Sequence, residues 1–208
     1  MPQTSARQPL QARARRTREA LLEAGAAEFG DKGYAATTTK SIAARAGVAV
    51  GSFYQYFANK DLVLHELAEA RYRHVETKAF EALPPVEGPQ DAPRTRAALS
   101  AIVQLVLDLH RADPGLHAVL SERRHADPEL DRRTDDFETR LVARIEGWLA
   151  AWSTPGDRGA LAFTVFGLLE GSVHAHVLGR AHVPDARFRA GLVEALVRIA
   201  RPDLAAAE

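Results

Sequence analysis

The residues of this chain best suited to contacting another molecule lie between Thr38 and Phe57. A short helix, a glycine, an apolar residue and a second short helix follow one another there, as in a helix-turn-helix. Ala43 is small where two such helices would meet, Gly47 allows a positive φ at the turn, and Val48 and Phe53 would anchor the second helix to a core. Left outward on that helix are Val50, Gly51, Ser52, Tyr54, Gln55 and Tyr56. These are short or hydrogen-bonding groups able to enter a DNA major groove. Simple packing against the first helix is the competing reading for Tyr54 and Tyr56.

The elements that must position this stretch follow from periodicity. Ala12 to Phe29 forms an apolar stripe with Gly30 and Gly33 as its stop, and Thr37-Thr38-Thr39 offers a hydroxyl cap to a helix of barely two turns. A second short helix is predicted over Val50–Phe57, and Asn59 caps a longer one from Lys60 to about Ala82. Four prolines and a glycine between Leu83 and Pro93 predict a connecting loop. Further helices are predicted from Arg94 to Arg111, on to about His125, from Pro128 to Trp152, from Ala160 to Gly179 and from Pro184 to Ile199. The Ala160–Gly179 segment is apolar on nearly every face, so it must be covered on nearly every face. The fold class is therefore all-α.

Net charge is zero, but its distribution is uneven. Up to Glu66 nine Lys and Arg face six Asp and Glu, an excess of three that the remainder of the chain cancels. Five of those arginines precede the first acid, Glu19, and form a basic leader of the kind that tracks phosphates or remains a solvated tail. No cysteine is present, which excludes disulfides, thiolate zinc sites and a cysteine nucleophile. No apolar run long enough for a membrane span is expected, and the composition suits a soluble cytoplasmic protein.

Gly33-Tyr34, Thr38-Thr39, Ile42-Ala43, Ala46-Gly47-Val48, Gly51, Phe53-Tyr54, Tyr56-Phe57, Lys60 and Leu62, ungapped, closely resemble the DNA-binding domain of the TetR family of bacterial regulators. The resemblance covers about the first third of the chain. It implies a three-helix DNA-binding domain, placed here at residues 1–59, followed by a helical ligand-binding and dimerisation domain at 60–208. It also implies a repressor of transcription released from double-stranded operator DNA by a small-molecule effector. Carried over by position, Thr39 would offer its hydroxyl to a phosphate and Lys40 its charge to a phosphate or base. Val50, Gly51, Ser52 and Gln55 would meet base edges, and Tyr54, Tyr56 and Lys60 would hold the phosphate backbone. Ala49 stands where the family usually has Ser or Thr, which removes the side-chain cap of the second helix, and Tyr56 stands where histidine is more common.

The last two helices are expected to form the homodimer contact, because together they carry more apolar surface than one body covers. An effector pocket is expected among the helices from Arg94 to Gly179. Its polar candidates are His110, His117, Glu170 and His174, and its apolar ones are Phe137, Trp148 and Phe166. Glu170 and His174, four apart, share a helical face and have a simpler reading as a pair that satisfies each other or a neighbour at the dimer contact. His174 and His176 are two apart, point to different faces and cannot share an ion, so neither a metal nor a cofactor is expected. An all-α enzyme and a non-DNA adaptor remain as alternatives. The chain lacks a Ser-His-Asp set, a metal-ligand cluster and a phosphate-cradling glycine loop, which disfavours the enzyme.

Overall fold

The computed structural model describes residues 7–82, 92–179 and 183–205. Among them the regular structure is all helix: α1 (Arg7–Ala36), α2 (Thr39–Arg45), α3 (Val50–Phe53), α4 (Lys60–Ala82), α5 (Ala92–Ala112), α6 (Pro114–Arg124), α7 (Pro128–Ala151), α8 (Arg158–Leu178), α9 (Asp185–Ala200) and α10 (Pro202–Ala205). Most of the loop expected over Leu83–Pro93 lies outside the described residues, while Ala92 and Pro93 open α5. The short α10 has no counterpart in the sequence reading.

The chain divides into two compact units. The first takes in residues up to Arg71 together with Gly115–Asp131, and the second comprises Tyr72–Pro114 and the remainder from Arg132. In the first unit α1 continues through Gly30 and breaks at Gly33, whose φ of 76° and ψ of 173° leave the helical region. Phe29, Ile42, Phe53, Phe57 and Leu64 are fully buried beneath it. The basic leader is helical from Arg7 rather than a tail, and Arg18 pairs with Glu66 while its guanidinium lies 5.3 Å from the Phe57 ring centre. Gly115, at the start of α6, touches backbone: a Cβ there would stand 2.5 Å from the Gly30 carbonyl oxygen. His65 of α4 meets Asp127 at 2.7 Å, and Asp127 in turn accepts from the Leu130 amide at 3.1 Å and caps α7.

In the second unit α5, α8 and α9 close around Leu99, Val103, Leu107, Ala162, Val165, Val173, Leu196 and Val197. Thr154 leaves the turn after α7 and donates its hydroxyl to the Ala200 carbonyl at 2.5 Å. Contrary to expectation, α8 is long and apolar enough, by length and composition, to cross a membrane, and only 22% of that stretch is buried. Its large apolar residues are interspersed with glycines and alanines, so no unbroken run of them marks its length. Its outward stripe is Ala160, Phe163, Thr164, Gly167, Gly171 and Ala175, with Phe163 69% exposed.

Candidate nucleic-acid interface

Three hydroxyls fix the start of α2. Thr38 accepts from the Ser41 amide at 3.0 Å and donates its own amide to Ser41 Oγ at 3.1 Å, a reciprocal cap that satisfies two otherwise orphaned amides. Thr37, fully buried, donates to the carbonyls of Gly33 at 2.8 Å and Glu28 at 3.0 Å, tying the α1–α2 link to α1. At the other end Gly47 adopts φ 69°, and the amides of Gly47 and Val48 return to the carbonyls of Ala44 at 3.2 Å and Ala43 at 3.0 Å. This is a Schellman ending, which calls for a left-handed residue and so for glycine.

The second short helix is shorter than predicted. Its α-helical part is Val50–Phe53, after which the chain winds on in tight turns, with Tyr56 and Phe57 both bonded to the Phe53 carbonyl at 2.9 and 3.0 Å. Ala49 supplies no side-chain cap and Gly51 is a weak helix former, so there is little to hold a regular helix beyond one turn. Burial of Phe53 and Phe57, four apart, fixes its inner face.

That leaves an outward surface. Lys40, Val50, Gly51, Tyr54 and Gln55 are exposed, while Thr39, Ser52 and Tyr56 are half-buried. A Cβ at Gly51 would meet nothing within 4 Å. Tyr54, 56% exposed, packs edge-on against Phe53, and its hydroxyl shares a 3.1 Å hydrogen bond with Thr39 Oγ1. The two helices are thereby joined across their outward face by groups that can also donate to an oxygen.

Lys60 is placed differently from the expected phosphate contact. Its ammonium turns inward and donates to the carbonyls of Tyr34 at 2.6 Å and Thr37 at 2.8 Å, 3.9 Å from the Tyr34 ring centre. Backbone oxygens past the break in α1 thus provide the negative environment that the cation needs at the start of α4, and burial lowers its pKa. Tyr34 also donates to Asp61 and lies beneath the Arg123 guanidinium at 4.0 Å. Burial and the Asp61 carboxylate push its phenol up to about 12.

Glu28 escaped the sequence reading altogether. Buried in α1, it accepts from Lys32 at 2.8 Å and Arg45 at 3.3 Å, and those bonds, with one from Ser41, hold its carboxyl down at about 2. Arg45 also meets Asp31 at 2.6 Å. The i, i+4 spacing of Glu28 and Lys32 was the available signal.

The seven expected effector contacts are distributed over both units. His117 belongs to the first unit, where the Arg71 guanidinium approaches its Nδ1 at 3.1 Å. In the second unit Phe137 stacks on Tyr72 at 4.4 Å, and Trp148 lines an open groove of about 510 Å³ with Glu76, Arg140, Leu141 and Arg144. Phe166 is half-buried on α8. His110, Glu170 and His174 do converge: His110 Nε2 lies 3.2 Å from Glu170 Oε1, and the two imidazoles meet edge-on at 6.2 Å. His176 turns elsewhere, toward Asp185 at 2.8 Å and flat against Phe188 at 4.0 Å.

A buried three-helix corner that presents a polar second helix, with an all-helical unit after it, defines the class of helix-turn-helix regulators. Residues 21–67 match the family described as "Bacterial regulatory proteins, tetR family", and residues 96–199 match "Tetracyclin repressor-like, C-terminal domain". The chain belongs to the TetR family. It is 30% identical over 115 residues to the nucleoid occlusion factor SlmA of Pasteurella multocida, covering 53% of this chain and 54% of the relative. It is 37% identical over 75 residues to the HTH-type transcriptional repressor KstR2 of Mycobacterium tuberculosis, covering 33% and 38% respectively. The chain thus spans about half or less of these curated relatives. The fold is similar to that of the fatty acid degradation regulator FadR of Bacillus halodurans (TM-score 0.68, 20% identity, 87% of this chain and 94% of that one). It is also similar to that of a TetR-like transcriptional regulator from Rhodococcus sp. RHA1 (TM-score 0.64, 21% identity, 91% and 96%).

Proposed function

We propose that this protein is a sequence-specific DNA-binding transcriptional regulator, a repressor released from its operator by a small-molecule effector. The observation that carries this reading is the outward face of α2 and α3. Lys40, Val50, Gly51, Tyr54 and Gln55 are exposed there on a turn whose inner residues are all committed to the core. Thr39 and Tyr54 would hold phosphates, Lys40 a phosphate or base, and Val50, Gly51, Ser52 and Gln55 the base edges, with Tyr56 at the margin. The bare stripe of α8, with exposed Phe163 near its N-terminal end, would be covered by the same stripe of a second copy, giving a homodimer through α8 and α9 that spans two half-sites. Such a protein works in the cytoplasm and needs no catalytic group.

The test is a fluorescence polarisation titration of DNA flanking the protein's own gene against random DNA at several salt concentrations. Preference for the flanking DNA by ~10³-fold or more, with an affinity that falls steeply with salt, is the expected result. Equal affinity for both DNAs would reject the reading.

A further inference from the structure

We infer that the second unit contains a binding site for a divalent transition-metal ion of the zinc type, built from His110 of α5 and Glu170 and His174 of α8. The inference does not depend on the DNA reading.

The donor atoms of these three residues all lie within 4.8 Å of one another. Glu170 and His174 are four apart and share a face of α8, while His110 comes from the neighbouring helix and is 3% exposed. Residues two apart on a helix cannot share an ion, but two residues four apart facing a third from another helix can. His110 Nε2 and Glu170 Oε1 are 3.2 Å apart. Two ligands each about 2.0–2.1 Å from a tetrahedral zinc stand roughly 3.3 Å from each other, so this pair is already at ligand spacing. The donor atom of His174 lies within 4.8 Å of both.

The orientation of His110 supplies a second observation. Its Nδ1 lies 2.9 Å from the Val106 carbonyl, which can only accept, so Nδ1 carries the proton. In the neutral ring Nε2 therefore presents its lone pair to a carboxylate that is itself an acceptor. Two acceptors at this distance need a cation between them, either a proton or a metal. A backbone carbonyl holding the far nitrogen of an imidazole is also the arrangement that orients metal-binding histidines. Two imidazoles and one carboxylate suit zinc, nickel or cobalt better than magnesium or calcium.

The test uses the full chain freed of metal with EDTA and titrated with Co²⁺, read by the visible absorption of the bound ion, followed by displacement with Zn²⁺. One equivalent per chain with displaceable Co²⁺ bands is expected, and Glu170→Gln and His174→Gln should each weaken binding by ~10-fold or more. His176→Gln, on the same helix but turned toward Asp185, should bind as the unaltered chain does. Circular dichroism and thermal melting establish that the variants are folded; Glu170 and His174 are only half-buried and bear the test without disturbing the more deeply buried His110. Absence of saturable binding, or binding unaffected by both substitutions, would overturn the proposal and assign the bridging cation to a proton.

Discussion

Replacing Lys60 with Met separates two roles for the cation at the head of α4. Methionine keeps the length of the side chain and removes its donors. The two carbonyls now held at 2.6 and 2.8 Å lose charged partners, each worth about 1.5–3 kcal/mol, and the contact with the Tyr34 ring contributes about 0.5–1 kcal/mol more. Against this stands the cost of half-burying the ammonium, visible in its lowered pKa, so the net loss should be about 2–3 kcal/mol. For a chain of this size that is a fall in Tm of roughly 5–10 °C. Thermal melting, with amide exchange across the α1–α2 link, measures it. DNA titrations of the folded variant at several salt concentrations should then give an unchanged salt slope, whereas Lys40→Ala should leave Tm alone and reduce that slope by about 0.9. The assignment of Lys60 to the scaffold collapses if K60M melts normally yet loses that increment of slope.

Glu28→Gln removes a carboxylate whose pKa in the fold, about 2, lies below its ordinary 4.5. A depressed folded-state pKa adds stability that is present above the ordinary value and lost as pH falls toward about 2. The substitution should therefore lower stability at neutral pH by about 1.5–3 kcal/mol and flatten the acid limb of a denaturation-versus-pH curve. Gly115→Ala places a methyl 2.5 Å from a backbone oxygen and should cost about 1–3 kcal/mol in a urea titration. Gly51→Ala meets empty space, so its Tm should hold or rise slightly while operator affinity in a gel-shift assay changes; normal affinity would place Gly51 outside the interface.

Helix periods and punctuation made most of the architecture readable from the sequence. Thr38, Gly47 and Asn59 end or begin helices where they were expected to, because caps and glycine turns are local chemistry. What escaped was non-local. The inward turn of Lys60 depends on carbonyls 23 and 26 residues away, which spacing along the chain does not reveal. The α3 prediction overran because its aromatic residues keep a helical period through tight turns as well as through α-helix. The pairing of Glu170 and His174 on one face was legible, but the partner from α5 and its tautomer were not.

The open space around Gly51 also has a practical meaning. The residues that fold α2 and α3 and those that face outward are nearly disjoint sets, so positions 50, 51 and 55 carry little structural information. A library randomised at these three positions, with proline excluded, should return mostly folded proteins. Operator preference can then be selected across it without also selecting for stability.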